Sequence, residues 1–316
     1  MHKRRLGRTD IQISPLVFGC NVFGWTADRE TSFALLDRFA DAGLETLDTA
    51  DVYSRWVPGH AGGESEVIIG AWMHSRGRRD KTIVITKVGF EIPSGDKGLS
   101  AAHIERAVED SLRRLRTDYI DVYFSHVHDD AVPYEETLKA YEKLIAAGKV
   151  RAIGASQHDA PQLRAALDVA AAQHLPRYEV LQPGYNLYDR AAFDGPLCEL
   201  ALDEGIGVIT YYSLAKGFLS GKYRSAADLG QSVRGTSVEG YLDPRGMRIL
   251  QALDQVAAAH GAAPAEVALA WLMARPGVTA PIASATSVAQ LDSLIRATTL
   301  ALSGTDIAAL DSASSY

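Results

Sequence analysis

Four side chains form a set that could deliver a proton to a carbonyl oxygen: Asp48, Tyr53, Lys87 and His126. A tyrosine phenol has a reference pKa of about 10, which makes it a poor but available donor at neutral pH. A lysine ammonium beside it favours the phenolate and is expected to lower that pKa, easing release of the proton. Asp48 would pair with Lys87 and keep it charged and oriented. His126 would hydrogen-bond a carbonyl oxygen and align it with Tyr53. Such a set protonates a carbonyl oxygen while hydride reaches its carbon, or runs the reverse reaction on an alcohol.

These residues act together only if the chain brings strand ends to one rim. Short apolar or β-branched runs occur at Ser14–Gly19, Thr46–Thr49, Thr82–Lys87, Tyr119–Ser125, Val150–Ser156, Glu179–Gln182, Gly207–Tyr212 and Thr279–Ala283. Several are apolar throughout, as strands covered on both faces must be. Between them lie helical patterns. Ile104, Val108, Leu112 and Leu115 make one stripe in Ser100–Arg116, and Leu138, Tyr141, Leu144 and Ile145 another in Tyr134–Gly148. Gly43, Gly148 and Gly205 stand where a helix cap wants positive φ.

Strand, helix, glycine and strand again is the grammar of successive βα units. The last interval is longer than the others. Its excess falls in Leu214–Pro244, rich in Gly, Ser and Arg, which reads as a functional loop after the seventh strand. The helices Arg245–His260 and Ala265–Ala274 follow it. The expected fold is a single (β/α)8 TIM barrel over residues 1–316. A doubly wound sheet would want G-x-G-x-x-G after an early strand. The one G-x-G, Gly205-Ile206-Gly207, lacks the third glycine. In a barrel, chemistry belongs at the C-terminal strand ends. Asp48, Asp51 and Tyr53, then Lys87, His126 and His128, Ser156 and Gln157, Gln182 and Asn186, and Tyr211 all fall there.

Composition excludes several classes. With 316 residues, 47% hydrophobic and 22% charged, the chain is neither disordered nor fibrous. A net charge of −7 without a basic stripe argues against nucleic acid as a partner. The two cysteines, Cys20 and Cys198, offer neither a disulfide framework nor a thiolate zinc site. Met1-His2-Lys3-Arg4-Arg5-Leu6-Gly7 carries charge with no apolar run behind it, so it does not read as a secretory signal. Val267–Ala274 is far shorter than a membrane span. A cytoplasmic protein with no membrane partner is expected, with the oligomeric state left open.

Along essentially the whole chain the sequence resembles the aldo-keto reductase superfamily, including its channel β-subunit branch. Arg5-Leu6-Gly7-Arg8-Thr9 with Ser14-Pro15-Leu16 resembles the family's N-terminal hairpin and first strand. Leu47-Asp48-Thr49-Ala50-Asp51-Val52-Tyr53 resembles its Asp/Tyr signature. Ile85-Thr86-Lys87 and Tyr119-Ile120-Asp121-Val122-Tyr123 resemble its lysine and histidine strands. Gly148-Lys149-Val150-Arg151 with Ile153-Gly154-Ala155-Ser156 resembles the fifth, and Leu219-Ser220-Gly221-Lys222-Tyr223 the loop after the seventh.

The resemblance implies reduction of an aldehyde or ketone, or the reverse oxidation, with hydride from NADPH, or NADH as the alternative, and no Rossmann motif. It implies that Ser156 and Gln182 hold the nicotinamide carboxamide and that Tyr211 stacks on the ring. Leu214, Lys216, Lys222 and Arg234 would lie in or beyond the loop that covers pyrophosphate and adenosine. Thr286 and Gln290 would open a helix whose backbone N–H groups receive phosphate. Cys20, Asn21, Asp48, Gln157, Ser213 and Gly217 belong to the same implied cofactor set.

There are departures. Gln157 stands where Asn is common, Tyr212-Ser213 replaces Ser-Pro, Ser284 a glycine and Leu294 an Asn. Thr286 occupies a position that is often basic in NADPH-preferring members.

Phe23, Trp25, Trp56, Phe90 and His128 fall on loops that could line a pocket for a flat or partly apolar carbonyl compound or alcohol. Taken singly, Asp48 reads as an N-cap, Lys87 as a solvated strand end and Tyr53 as a core aromatic. These three coincidences, with His126 as the fourth residue on three successive rims, favour catalysis. His126-x-His128 admits a metal site, but Ser156, Gln182 and Ser284 are weak ligands at the other strand ends, so no metal is expected. A Schiff-base role for Lys87 would want no carboxylate partner. Cys20 and Trp271 read as packed residues, and His103, His158, His174 and His260 as surface residues. The rival class is a nucleotide-binding regulatory protein of the same fold with little turnover.

Overall fold

The computed structural model describes residues 3–316; Met1 and His2, at the start of the charged N-terminal segment, lie outside the described residues. Strands β1 (Arg4–Arg5) and β2 (Gln12–Ile13) pair antiparallel as the expected hairpin. Leu6, Ile11 and Ile13 from this hairpin pack with Val122, Phe124, Val180 and Ile209, closing the N-terminal end of the barrel with apolar side chains. Gly7 makes that closure achievable. It has φ of 58°, and a Cβ there would stand 2.5 Å from the Glu179 carbonyl oxygen and 2.7 Å from the Gly207 nitrogen.

The barrel strands are β3 (Val17–Gly19), β4 (Thr46–Asp48), β5 (Ile83–Val88), β6 (Ile120–Ser125), β7 (Val150–Ser156), β8 (Val180–Gln182), β9 (Gly207–Thr210) and β10 (Ala280–Ala283). They are parallel throughout and close by pairing of β10 with β3. Each lies within or overlaps an expected run, with trimmed ends that have physical causes. Pro15 has no N–H for a ladder, and Ser14 is held by side chains instead, its N–H donating to Thr46 Oγ1 and its Oγ accepting from Glu45 N. The seventh barrel strand, β9, stops at Thr210 because the Ser213 hydroxyl donates to the Thr210 carbonyl and Tyr212 takes a φ of 54°.

The amphipathic stripes become the seams between barrel and helices. Ile104, Val108, Leu112 and Leu115 are buried on helix Ala101–Leu115, whose N-terminus is capped by Ser100. Leu138, Tyr141 and Leu144 do the same on helix Tyr134–Ala146. Gly43, Gly148 and Gly205 have φ of 75°, 72° and 64°. The segment before helix Pro244–His260 contains three short 3-10 turns, Ala215–Ser220, Ala226–Gln231 and Gly235–Tyr241. Trp271 is core, as expected. Two histidines placed on the surface by the sequence are not: His103 is buried on helix Ala101–Leu115 and His158 is buried in the turn after β7. Among the described residues no single helix is long and apolar enough to cross a membrane.

Candidate active site

Parallel register carries the side chains to one rim. Asp48 ends β4 opposite Ile85 of β5, Lys87 stands one residue before the end of β5 opposite Phe124 of β6, and His126 follows β6 with its N–H on the Val88 carbonyl. The turn after β4 then returns Tyr53 over them. Lys87 Nζ, fully buried, donates to Asp48 Oδ2 at 2.8 Å, to the Thr49 carbonyl at 2.7 Å and to the Tyr53 hydroxyl at 3.1 Å. The Tyr53 hydroxyl donates to Asp48 Oδ2 at 3.5 Å. The His126 ring meets Tyr53 edge-on at 6.0 Å and Phe90 at 4.5 Å. All four groups predicted from spacing therefore converge.

Their protonation corrects one expectation. The Tyr53 phenol is pushed well above its ordinary value, not below it, by burial first and then by the Asp48 carboxylate. Removal from water outweighs the neighbouring ammonium, and the phenol keeps its proton. Burial lowers the Lys87 pKa, and Asp48 opposes it. His126 is held well below its usual range by burial and then by Lys87, so its imidazole is neutral. The resting site is a protonated phenol, a buried ion pair and a neutral ring.

Sequence reading missed two fastenings. Gln182 Nε2 donates to Asp48 Oδ1 at 2.9 Å, so both carboxylate oxygens are occupied. The Thr49 carbonyl completes the Lys87 set. Neither has a signal in spacing, since one partner is backbone and the other lies across the barrel.

The remaining implied cofactor residues have mixed placements. The Ser156 hydroxyl donates to the Gln182 carbonyl at 3.0 Å, and the Tyr211 ring lies against Gly184, where a Cβ would come within 3.1 Å of it. Gln157 Nε2 is tied to the His126 carbonyl at 3.2 Å. Asn21 accepts from the Ser284 hydroxyl, Cys20 is wholly buried, and the Ser213 hydroxyl is bonded to strand β9. Leu214 packs on the core, and Gly217 adopts a φ of 101°. Lys216 and Lys222 lie over the rings of Tyr212 and Tyr223. Arg234 lies over Trp25 at 4.9 Å and has a buried Nη2 with no partner among the described residues.

Thr286 and Gln290 lie on either side of the start of the helix after β10, Thr286 just before its cap and Gln290 in its first turn. It begins at Val288 after an Ser287 cap, which accepts from Gln290 N, while Gln290 Oε1 takes the Thr286 N–H.

Among the pocket residues, Trp25 and Trp56 meet edge-on at 5.5 Å, and Trp56 stands 6.2 Å from Tyr53. Phe23 does not join them. It is fully buried with its ring against Phe18, in the layer between strands and helices. His128 hydrogen-bonds Tyr134 and Asp130 rather than any of the four.

A closed parallel barrel with an acid–lysine–tyrosine–histidine cluster at its C-terminal rim defines a class of barrel enzyme sites. Residues 15–315 match the Aldo/keto reductase family, and the chain belongs to it. It is similar to the uncharacterized oxidoreductase YrpG of Bacillus subtilis, at 35% identity over 94% of this chain and 91% of that protein. It is 34% identical to a probable voltage-gated potassium channel subunit beta of Oryza sativa, over 92% and 89%. With norsolorinic acid reductase stcV of Emericella nidulans it shares 32% identity over 94% and 77%. The family and these oxidoreductase relatives support an oxidoreductase function.

Proposed function

We propose that residues 1–316 act as one domain that reduces a small aldehyde or ketone, or oxidises the corresponding alcohol, with a nicotinamide nucleotide. NADPH is the nucleotide of choice and NADH the alternative. The observation that carries this reading is the Lys87 ammonium within hydrogen-bond reach of both Tyr53 and Asp48 in a site removed from water.

Tyr53 holds the proton and gives it to the carbonyl oxygen. Lys87 stabilises the phenolate left behind, which matters most after transfer, when negative charge develops in a desolvated site. Asp48 fixes the ammonium, and neutral His126 donates to and orients the carbonyl. Trp25, Trp56 and Phe90 form the wall for a flat or partly apolar substrate.

The residues fit a dinucleotide. Arg234 keeps a buried donor without a partner among the described residues, the feature expected of a group that meets phosphate. Lys216 and Lys222 add positive charge on the same loop. Ser156 Oγ and Gln182 Oε1 retain acceptor capacity for a carboxamide N–H, and Tyr211 offers a ring face. When bound, the nucleotide supplies hydride.

NADPH and NADH titrations by fluorescence, followed by an absorbance screen over aldehydes, ketones and sugars, test the reading. Absence of binding by either nucleotide would remove it. The likeness to proteins named channel subunits supports a second reading, a regulatory protein with little turnover. Stopped-flow oxidation of bound NADPH by a generic aldehyde separates the two.

A further inference from the structure

We infer that the corner Ser156–Gln157–His158 is a positioning device for His126, and that His158 is the residue that holds it closed. The inference rests on the reductase reading for its kinetic consequence and on geometry for its existence.

Strand β7 ends at Ser156, and the next residue turns with a φ of 54°. An L side chain other than Asn or Gly takes that conformation only when its surroundings over-determine it. Here two hydrogen bonds do so, one on each side. Gln157 Nε2 donates across to the His126 carbonyl at 3.2 Å. His158 Nδ1 lies 2.8 Å from the Ser156 carbonyl oxygen. A carbonyl only accepts, so Nδ1 carries the proton and the tautomer is set.

The His158 ring is buried and cannot turn freely. It meets His128 at 5.4 Å, Tyr178 at 5.7 Å and Tyr134 at 6.2 Å. His128 is itself fixed by Tyr134 and Asp130. Tyr178 is fixed by Ser125 at the end of β6, the strand that leads into His126. The same corner reaches the ion pair, through Ser156 Oγ to the Gln182 carbonyl and Gln182 Nε2 to Asp48. One buried ring thus braces the backbone that carries His126 and the strand end beside Asp48. A core histidine kept only for its bulk would have no need of a defined tautomer.

The test compares His158→Phe, which keeps bulk and loses the donor, with His158→Asn, whose amide Nδ2 replaces Nδ1. Gln157→Gly removes the tether from an exposed residue while relieving the positive φ, so folding is retained. Steady-state kinetics and nucleotide titration are run beside 13C–1H NMR of the His126 ring in the nucleotide-free chain. His158→Phe is expected to lower kcat about tenfold while moving nucleotide Kd less than about threefold, and His158→Asn to restore kcat to within about threefold. Gln157→Gly should lower kcat about fivefold. The His126 Cε1–H resonance should shift in His158→Phe and Gln157→Gly but not in His158→Asn. Parental kcat and an unshifted His126 in His158→Phe, or His158→Asn failing with it, overturns the inference. A parent chain that turns over no carbonyl sinks the reductase reading instead, and the His126 resonance still decides the corner.

Discussion

The floor of the barrel mouth and the loop that follows β9 treat charge in opposite ways. On the floor the ion pair is fully occupied: Lys87 has three acceptors, and Asp48 accepts from Lys87, Gln182 and Tyr53. In the loop, Lys216, Lys222 and Arg234 lie over aromatic rings and make no ion pair among the described residues. Its backbone also holds positive φ at Tyr212, Ala215 and Lys216. The floor is built before any ligand arrives, as a site that stabilises developing charge must be. On the proposed reading, the loop's cations are available to a negatively charged group of the nucleotide. The proposed chemistry sits on strands, and the proposed binding segment is the one least committed to regular structure.

The sharpest way to break that contrast is Tyr53→Phe. It should lower kcat by about 10³-fold while nucleotide affinity is nearly unchanged, since general acid catalysis contributes on that scale. Turnover at the parental rate would remove Tyr53 from its role.

Lys87→Met probes the completeness of the floor. It leaves Asp48 buried without its cation, and about 3–5 kcal/mol of stability should be lost in urea unfolding. A loss close to zero would mean that the pair is not sealed from water.

Acid tests the rim beside the floor. Burial holds the His158 pKa at about 4 against an ordinary 6.5. Between those values the unfolded chain binds a proton that the folded chain refuses. Stability therefore falls as pH drops from 6.5 toward 4, by about 3 kcal/mol for this residue. His126, depressed by burial as well, contributes with the same sign. Of the titratable groups that face His158, His128 pulls its pKa down and Asp159 pulls it up, after the larger effect of burial. Unfolding curves at neutral and acid pH should converge for His158→Asn relative to the parent; equal pH slopes would contradict the burial argument.

The smallest effect belongs to the loop. Arg234→Ala should weaken NADPH binding about tenfold and flatten its salt dependence, yet alter folding stability by no more than about 2 kcal/mol, the size of one desolvated cation–π contact. A large stability loss with unchanged affinity would make Arg234 a structural strap.

Much of this was legible in the order of residues. Apolar runs on both faces, helical stripes and cap glycines specified alternating strands and helices, because burial on a barrel leaves those periods no other use. Tyr53, Lys87 and His126 at successive strand ends followed directly, since parallel register sends every such end to one rim. Gly7, within the segment that resembles the hairpin, proved to be a point where backbones come close.

What the linear chain could not convey depends on sums over neighbours far apart in it. Spacing suggested that Lys87 would draw the Tyr53 pKa down, and only the enclosed site shows desolvation prevailing. Phe23 and Trp25 share one loop, yet one faces the core and the other the mouth. His158 carries no periodic mark, and its burial arises from three rings brought from separate elements. Local pattern decides which elements form and which face each presents. Dielectric environment, tautomer and hydrogen-bond partner belong to the assembled fold, because each is set by everything within a few ångströms regardless of sequence distance.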